Sequence, residues 1–347
     1  MLRLTSQALL LAAVSLAIAG CGGGDDNGDS GAADGDPPSA LKVGLIVDKG
    51  QLDDNGFNEL AFKGLERAQA ELAVQGRVIE SASSADYIPN MTSLARQDYD
   101  LVIGVGFAQG DAIGKVAQKF PETKFAIIDV DQAFVPGKPA NVQGLLFREE
   151  EVGYLVGYLA ALQEKRRDGA DVISAVGGMK EPPVDRFIAG YFAGAREAEP
   201  GIKTVLGYSQ DWDDQAKCKE LALNQIADGS GVVFQVAGGC GLGALNAAGE
   251  RDRWGIGVDA DQSSLGKHIL TSAKKGVDSA VFLTIQSIQD GTWEGGKNAT
   301  FGLKENGVGL GKVSTEVPQA DLDAVEAISE KIASGEITGI PTEVAKS

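Results

Sequence analysis

Short β-branched runs recur along this chain, each followed by a segment whose apolar residues fall at three- and four-residue steps. The first, KVGLIV (42–47), precedes Phe57, Ala61, Leu65, Ala68 and Leu72, one apolar stripe on a helix. RVIES (77–81), LVIGV (101–105) and FAIIDV (125–130) read as further strands, with helices over 89–97 and 109–120, the latter closed by Pro121. The rhythm restarts near residue 150. DVISAV (171–176), KTVLGY (203–208), VVFQV (232–236) and WGIGV (254–258) are strands, and 150–164, 184–198, 213–228 and 241–250 are helices. Apolar strands separated by helices restrict the chain to parallel sheets covered on both faces. Two successive sets of four βα units predict two similar lobes side by side. The tail adds HILTS, a helix over 277–290, the strand-like ATFGL and a helix near 319–334, too little for a third domain. It is expected to complete both lobes by crossing back between them. The predicted body is therefore two-lobed with a cleft, and ligands in such sheets lie beyond the carboxyl ends of the strands.

The N-terminus stands apart from this pattern. Arg3 and the apolar run ALLLAAVSLAIAG form a signal peptide over 1–20, shorter than the roughly 20 apolar residues of a membrane span. Ile18-Ala19-Gly20 followed by Cys21 resembles the lipobox of bacterial lipoproteins, which implies cleavage before Cys21 and lipid attachment to it. Residues 22–40 carry five Asp and no Lys, Arg or large apolar residue, so the segment 21–40 is expected to be a disordered tether. As a flexible coil it would span roughly 25 Å. The expected location is the cell membrane, lipid-anchored and extracytoplasmic, with the lipid as the only membrane contact. Two cysteines remain after Cys21, and Cys218 and Cys240 are a candidate disulfide in a compartment that permits one.

Of 347 residues, 43% are hydrophobic, enough to bury a large core, and the net charge of −18 argues against a binder that neutralises nucleic-acid phosphates. Every chemically suggestive stretch falls at a strand end: Asp48 and DDNGFN after the first, GVGFAQG after the third, IIDVD after the fourth, then YSQDWDD, AGGCGLG and GVDADQSS. A calcium loop fails on the letters. With Gly56 as its sixth position, positions one and twelve would be Gln51 and Phe62, neither of which offers a carboxylate. No GK[ST] is present, and GVGFAQG spaces its glycines too widely for a dinucleotide fingerprint. With a single His, His268, a zinc site is not expected, and neither a metal nor a cofactor is. Paired aspartates could act as acid and base, but nothing completes a catalytic constellation, so an enzyme is not expected. What remains is recognition. Carboxylates accept from hydroxyls, aromatic faces stack on flat rings, and Asn offers donor and acceptor together, a set suited to a planar base joined to a sugar.

The stretches DDNGFNELAFKG, DYIPN, GVGFAQGDAI, FAIIDVD, FREEEVGYLVGYLAA, VGGMKEPPVDRFIAGYFAGA, AGGCGLGAL, GVDADQS and LTSAKKGVDSAV cover nearly all of residues 42–312. In that order they resemble the basic membrane protein (BMP) family, purine-nucleoside-receptor-like substrate-binding lipoproteins of ABC importers. The resemblance implies a type I periplasmic-binding-protein fold, with two Rossmann-like lobes, three crossovers, a hinge and an interlobe ligand cleft. The expected N-terminal lobe is 41–147 with 268–303, and the C-terminal lobe 148–267 with 304–347. By resemblance a purine nucleoside is stacked between Phe57 and Trp212, the latter where the family usually has Phe. Asn58 and Asp129 would contact the base and Asp48 line the cleft, while Asp259, Lys275 and the main chain at Gly238 would hold the ribose. Gly56 departs from a common Ser, and Cys240 lies within the glycine turn, where a bond to Cys218 would brace the cleft wall. Asp54 reads better as a helix cap, and Asp261 and Gln262 as supports. The expected partners are the nucleoside, an ABC permease and its ATPase, and the protein is expected to act as a monomer. A ligand-sensing lipoprotein of the same fold, signalling to a membrane partner, is the alternative.

Overall fold

The computed structural model describes residues 40–48, 52–169 and 171–345. The signal peptide, Cys21 and the tether up to residue 39 lie outside the described residues. Beyond them the chain starts with β1 (Lys42–Val47), α1 (Phe57–Glu71), β2 (Gln75–Glu80), α2 (Tyr87–Ala95), β3 (Leu101–Gly104), α3 (Gly110–Ala117), β4 (Lys124–Ile128) and β5 (Val142–Phe147). The second series is α4 (Glu149–Lys165), β6 (Val172–Gly177), α5 (Pro182–Ala198), β7 (Lys203–Tyr208), α6 (Gln215–Ala227), β8 (Ser230–Val236), α7 (Gly238–Glu250), β9 (Trp254–Asp259) and β10 (Ile269–Lys275). The tail supplies α8 (Val277–Gln289), β11 (Asn298–Phe301), β12 (Val308–Leu310) and α9 (Gln319–Ser334).

These strands form two six-stranded sheets, ordered β11-β5-β4-β3-β1-β2 and β12-β10-β9-β8-β6-β7. All pairings are parallel except β10 with β12. The fold is thus α/β with two parallel-sheet lobes. β1 shows why the periodicity was readable: Val43, Leu45 and Val47 enter one apolar cluster and Ile46 enters another on the opposite face. One core runs through both lobes, while each sheet keeps a separate cluster on its other face, around Met91 and Ile113 in the first and Cys218 and Ala244 in the second.

The chain passes between the sheets three times, at 147–149, 275–277 and 301–308. This corrects the expected lobe boundary at 268. β10 pairs in parallel with β9, for example Ser272 with Gly257, so it belongs to the second sheet, and only α8 and β11 return to the first. The connection after β9 is short, and consecutive strands usually neighbour one another. Two strands, β5 and β12, were absent from the expected series. β5 breaks its apolar run with Gln143 and Gly144, and β12 has only three residues.

The second lobe is locked by a helix pair. A Cβ on Gly157 of α4 would lie 1.9 Å from the carbonyl oxygen of Tyr191, and one on Gly194 of α5 would lie 2.0 Å from that of Tyr154. The two backbones therefore touch where glycine alone leaves room.

Candidate functional site

In the first lobe, Asp48 follows β1 and accepts a hydrogen bond from the Tyr87 hydroxyl. Asp54 caps α1. Its carboxylate accepts from the backbone N–H groups of Gly56 at 2.8 Å, Asn58 at 2.9 Å and Glu59 at 3.2 Å. This fixes the first helical turn, so that Phe57 and Asn58 stand at the cleft. Asp129 follows β4 with φ 71°, a left-handed conformation that a short polar residue tolerates at some cost.

The second lobe answers with a matching set. Asp259 ends β9, again at a left-handed φ of 61°, and Lys275 ends β10. Gly238 opens α7 at φ 55°, which turns the chain directly from β8 into the helix. Trp212 lies between β7 and α6, and its carbonyl accepts from the Cys240 N–H at 2.8 Å. Cys218 and Cys240 are joined by a disulfide with a Cα separation of 5.6 Å, which ties α6 to the first turn of α7 beside this loop.

All eight residues singled out from the sequence, Asp48, Phe57, Asn58, Asp129, Trp212, Gly238, Asp259 and Lys275, line one cavity between the lobes. About 740 Å³ of unfilled space lies there, part of it open to solvent. The Lys275 ammonium sits 2.7 and 2.8 Å from the two oxygens of Asp129 and 2.8 Å from Glu149. It also stands 5.1 Å from the Phe57 ring centre and 4.9 Å from that of Phe147. Burial alone would lower the Lys275 pKa, but Asp129, Glu149 and Asp259 outweigh it and the net shift is upward. Burial lifts the Asp259 carboxyl to about 7, with Asp129, Asp54 and Glu149 adding to the rise against Lys275. Among the described residues none donates a hydrogen bond to that carboxylate, which leaves its oxygens available to a ligand hydroxyl.

Asp54 lines the cavity as well as capping its helix. Asp261 and Gln262 do not line it. Gln262 binds Gln235 and the Val258 N–H, and reaches across the cleft to the Asn55 carbonyl at 3.1 Å. Asp261 accepts from the N–H groups of Ser263 and Lys312. A Cβ on Gly56 would meet only ordinary contacts, the nearest with Asp54 and Asp259.

Sequence reasoning missed Glu149 and Glu181. Glu149 is fully buried against Lys275, with Arg186 3.6 Å away, and burial pushes its pKa up. Glu181 lines the cavity at the start of α5, and burial, then Asp48 and Asp129, raise its carboxyl to about 7. Their only sequence signal was acid at a helix start, which ordinarily reads as a favourable first-turn charge.

A family profile described as "ABC transporter substrate-binding protein PnrA-like" matches residues 41–341. The chain is 34% identical to "ABC transporter nucleoside-binding protein BmpA" of Lactococcus lactis, over 96% of this chain and 97% of that one. It is 35% identical to an uncharacterized lipoprotein of Pyrococcus horikoshii, over 84% of this chain and 71% of that one. Among solved structures, an ABC transporter solute-binding protein from Aeropyrum pernix superposes with a TM-score of 0.78 at 29% identity, covering 87% of this chain and 94% of the other.

Proposed function

The chain belongs to the family of PnrA-like ABC transporter substrate-binding proteins, and from that premise we propose that it captures a nucleoside, a purine one, between its two lobes and delivers it to an ABC permease and ATPase. One observation carries the reading: Phe57 and Trp212, an aromatic from each lobe, line the same cavity as Asp259 and Lys275. Rings suit the base and the carboxylate suits ribose hydroxyls. The similarity to a protein named for nucleoside binding supports the same ligand class. Binding is reversible, and lobe closure rather than bond chemistry does the work. Cys21 holds the protein to the outer face of the membrane, and its tether lets the body reach the permease.

The test is a thermal-shift series on protein stripped of ligand by unfolding and refolding. A nucleoside at 100 times its dissociation constant adds about 2.7 kcal/mol of stability. A shift with purine nucleosides and none with free ribose or nucleotides is expected. A folded protein that responds to no nucleoside would sink the reading.

A further inference from the structure

The charged groups of the cavity sort into two ends. In the second sheet, ordered β10-β9-β8-β6, Lys275 and Asp259 end β10 and β9 whereas Glu181 follows β6; in the first, ordered β4-β3-β1, Asp129 follows β4 and Asp48 follows β1. Asp129 meets Lys275, so Asp48 and Glu181 mark the end away from Asp259. At that end the two lobes present carboxylates to each other, Asp48 from β1 and Glu181 from α5.

Among the described residues no cation reaches Glu181. Its neighbour Lys180 is held by Asp185 at 2.6 Å, and Arg186, on the next turn of α5, turns to Glu149. The Tyr208 hydroxyl donates to Asp185, not to Glu181. Lys275 is engaged by Asp129 and Glu149. An ionised carboxylate only accepts, so a ligand edge placed here has to donate. We infer that Glu181 is a specificity-determining residue that selects a nucleobase with two adjacent N–H donors on one edge, the pattern of guanine. This deepens the nucleoside reading and rests on it.

The chemistry is that of a bidentate charge-assisted pair. Guanine offers its ring N1–H beside the exocyclic amino group, spaced to meet both oxygens of one carboxylate. Hypoxanthine offers N1–H alone, and adenine sets its amino group beside an acceptor. With the sugar against Asp259 and Lys275, the far edge of a base held between Phe57 and Trp212 points to the Glu181 end. A site built to bind such donors rejects the analogue that lacks one.

The experiment measures guanosine and inosine affinities by calorimetry on the full-length chain in detergent, stripped of ligand, and on Glu181→Gln and Glu181→Asp. The wild-type protein is expected to bind guanosine at least tenfold more tightly than inosine. In Glu181→Gln the preference should fall below threefold, with guanosine losing more affinity than inosine, because the amide keeps only one acceptor and no charge. Glu181→Asp, which keeps the charge, should retain the ranking at lower affinity. Guanosine affinity should also rise from pH 6 to pH 8 as the carboxyl ionises, and Glu181→Gln should lose that slope. Nucleoside binding with no guanosine preference, or with a preference indifferent to Glu181→Gln, overturns the inference alone. No binding of any nucleoside overturns the nucleoside reading and the inference with it.

Discussion

The ammonium of Lys275 contacts both oxygens of Asp129 at 2.7 and 2.8 Å, although the two residues stand at the ends of strands in different sheets, Lys275 as the last of β10 and Asp129 just after β4. Glu149 joins them at 2.8 Å. Lys275 immediately precedes the second passage between the lobes and Glu149 immediately follows the first. One ionic cluster therefore sits where the chain bends and where the cavity closes.

Removing the cation should leave Asp129 uncompensated and Glu149 with only the more distant Arg186. Lys275→Ala is expected to cost about 3–5 kcal/mol, the usual effect of breaking a buried pair from one side. Urea unfolding measures it, and an unchanged midpoint would mean that the cluster contributes nothing to the fold.

Trp212 is expected to matter for binding more than for folding, since it is only half-buried on a loop. Trp212→Ala should weaken nucleoside binding about 10- to 100-fold, in line with roughly 1–3 kcal/mol per stacked base. Trp212→Phe should recover most of that loss. Equal affinities for all three proteins would remove the ring from the site.

Stability should rise on mild acidification. Burial holds the Asp259 carboxyl near 7 in the folded protein, against about 3.9 when unfolded. The folded state thus takes up the proton first. The resulting stabilisation is complete below the unfolded value and is lost as pH rises through 7. Carboxyls held below their usual range, such as Asp321 beside Arg166, act only at more acidic pH. Melting of ligand-free protein should therefore be higher at pH 6 than at pH 8, with a slope of up to about 1.4 kcal/mol per pH unit from this group. Asp259→Asn should reduce the slope, with the burial-raised carboxyls of Glu149 and Glu181 supplying the remainder.

Cys218 and Cys240 close a loop across 22 positions. Replacing both with Ser should lower stability by about 2–4 kcal/mol, read as a loss of midpoint in denaturant. A reducing agent should shift the wild-type midpoint toward that of the double variant and leave the variant unmoved.

Gly157→Ala places a methyl group 1.9 Å from a backbone oxygen, where no side chain can yield. The expected cost is about 3 kcal/mol, the upper end for overpacking. A stable Gly157→Ala protein would mean that α4 and α5 can separate without harm.

The parts legible in sequence were those governed by local periodicity. α1 was visible because Ala61, Leu65 and Ala68 repeat on one buried face, and β8 because VVFQV is apolar but for Gln235. Asp48, Asp129 and Asp259 were readable because a parallel sheet exposes its strand ends. The placement of β10 was not, since sheet membership depends on pairing and not on the residues of one strand. Glu149 and Glu181 escaped for a similar reason. Which acid of FREEE turns inward, and whether the one acid of MKEPP does, is settled by the helix–helix and lobe–lobe packing around them.

The three passages between the sheets have a consequence for how such a protein can be altered by recombination. Each lobe is assembled from stretches that lie far apart in the gene, so neither can be cut out as one continuous piece. A chimera that borrows the second lobe of a relative has to exchange α4 through β10 together with β12 and α9, joined at 148, 276 and the 302–307 link. A single junction inside the body would pair half of one cleft wall with a sheet it did not evolve against. Changes of ligand are therefore more accessible through substitutions at the strand ends than through exchange of whole segments.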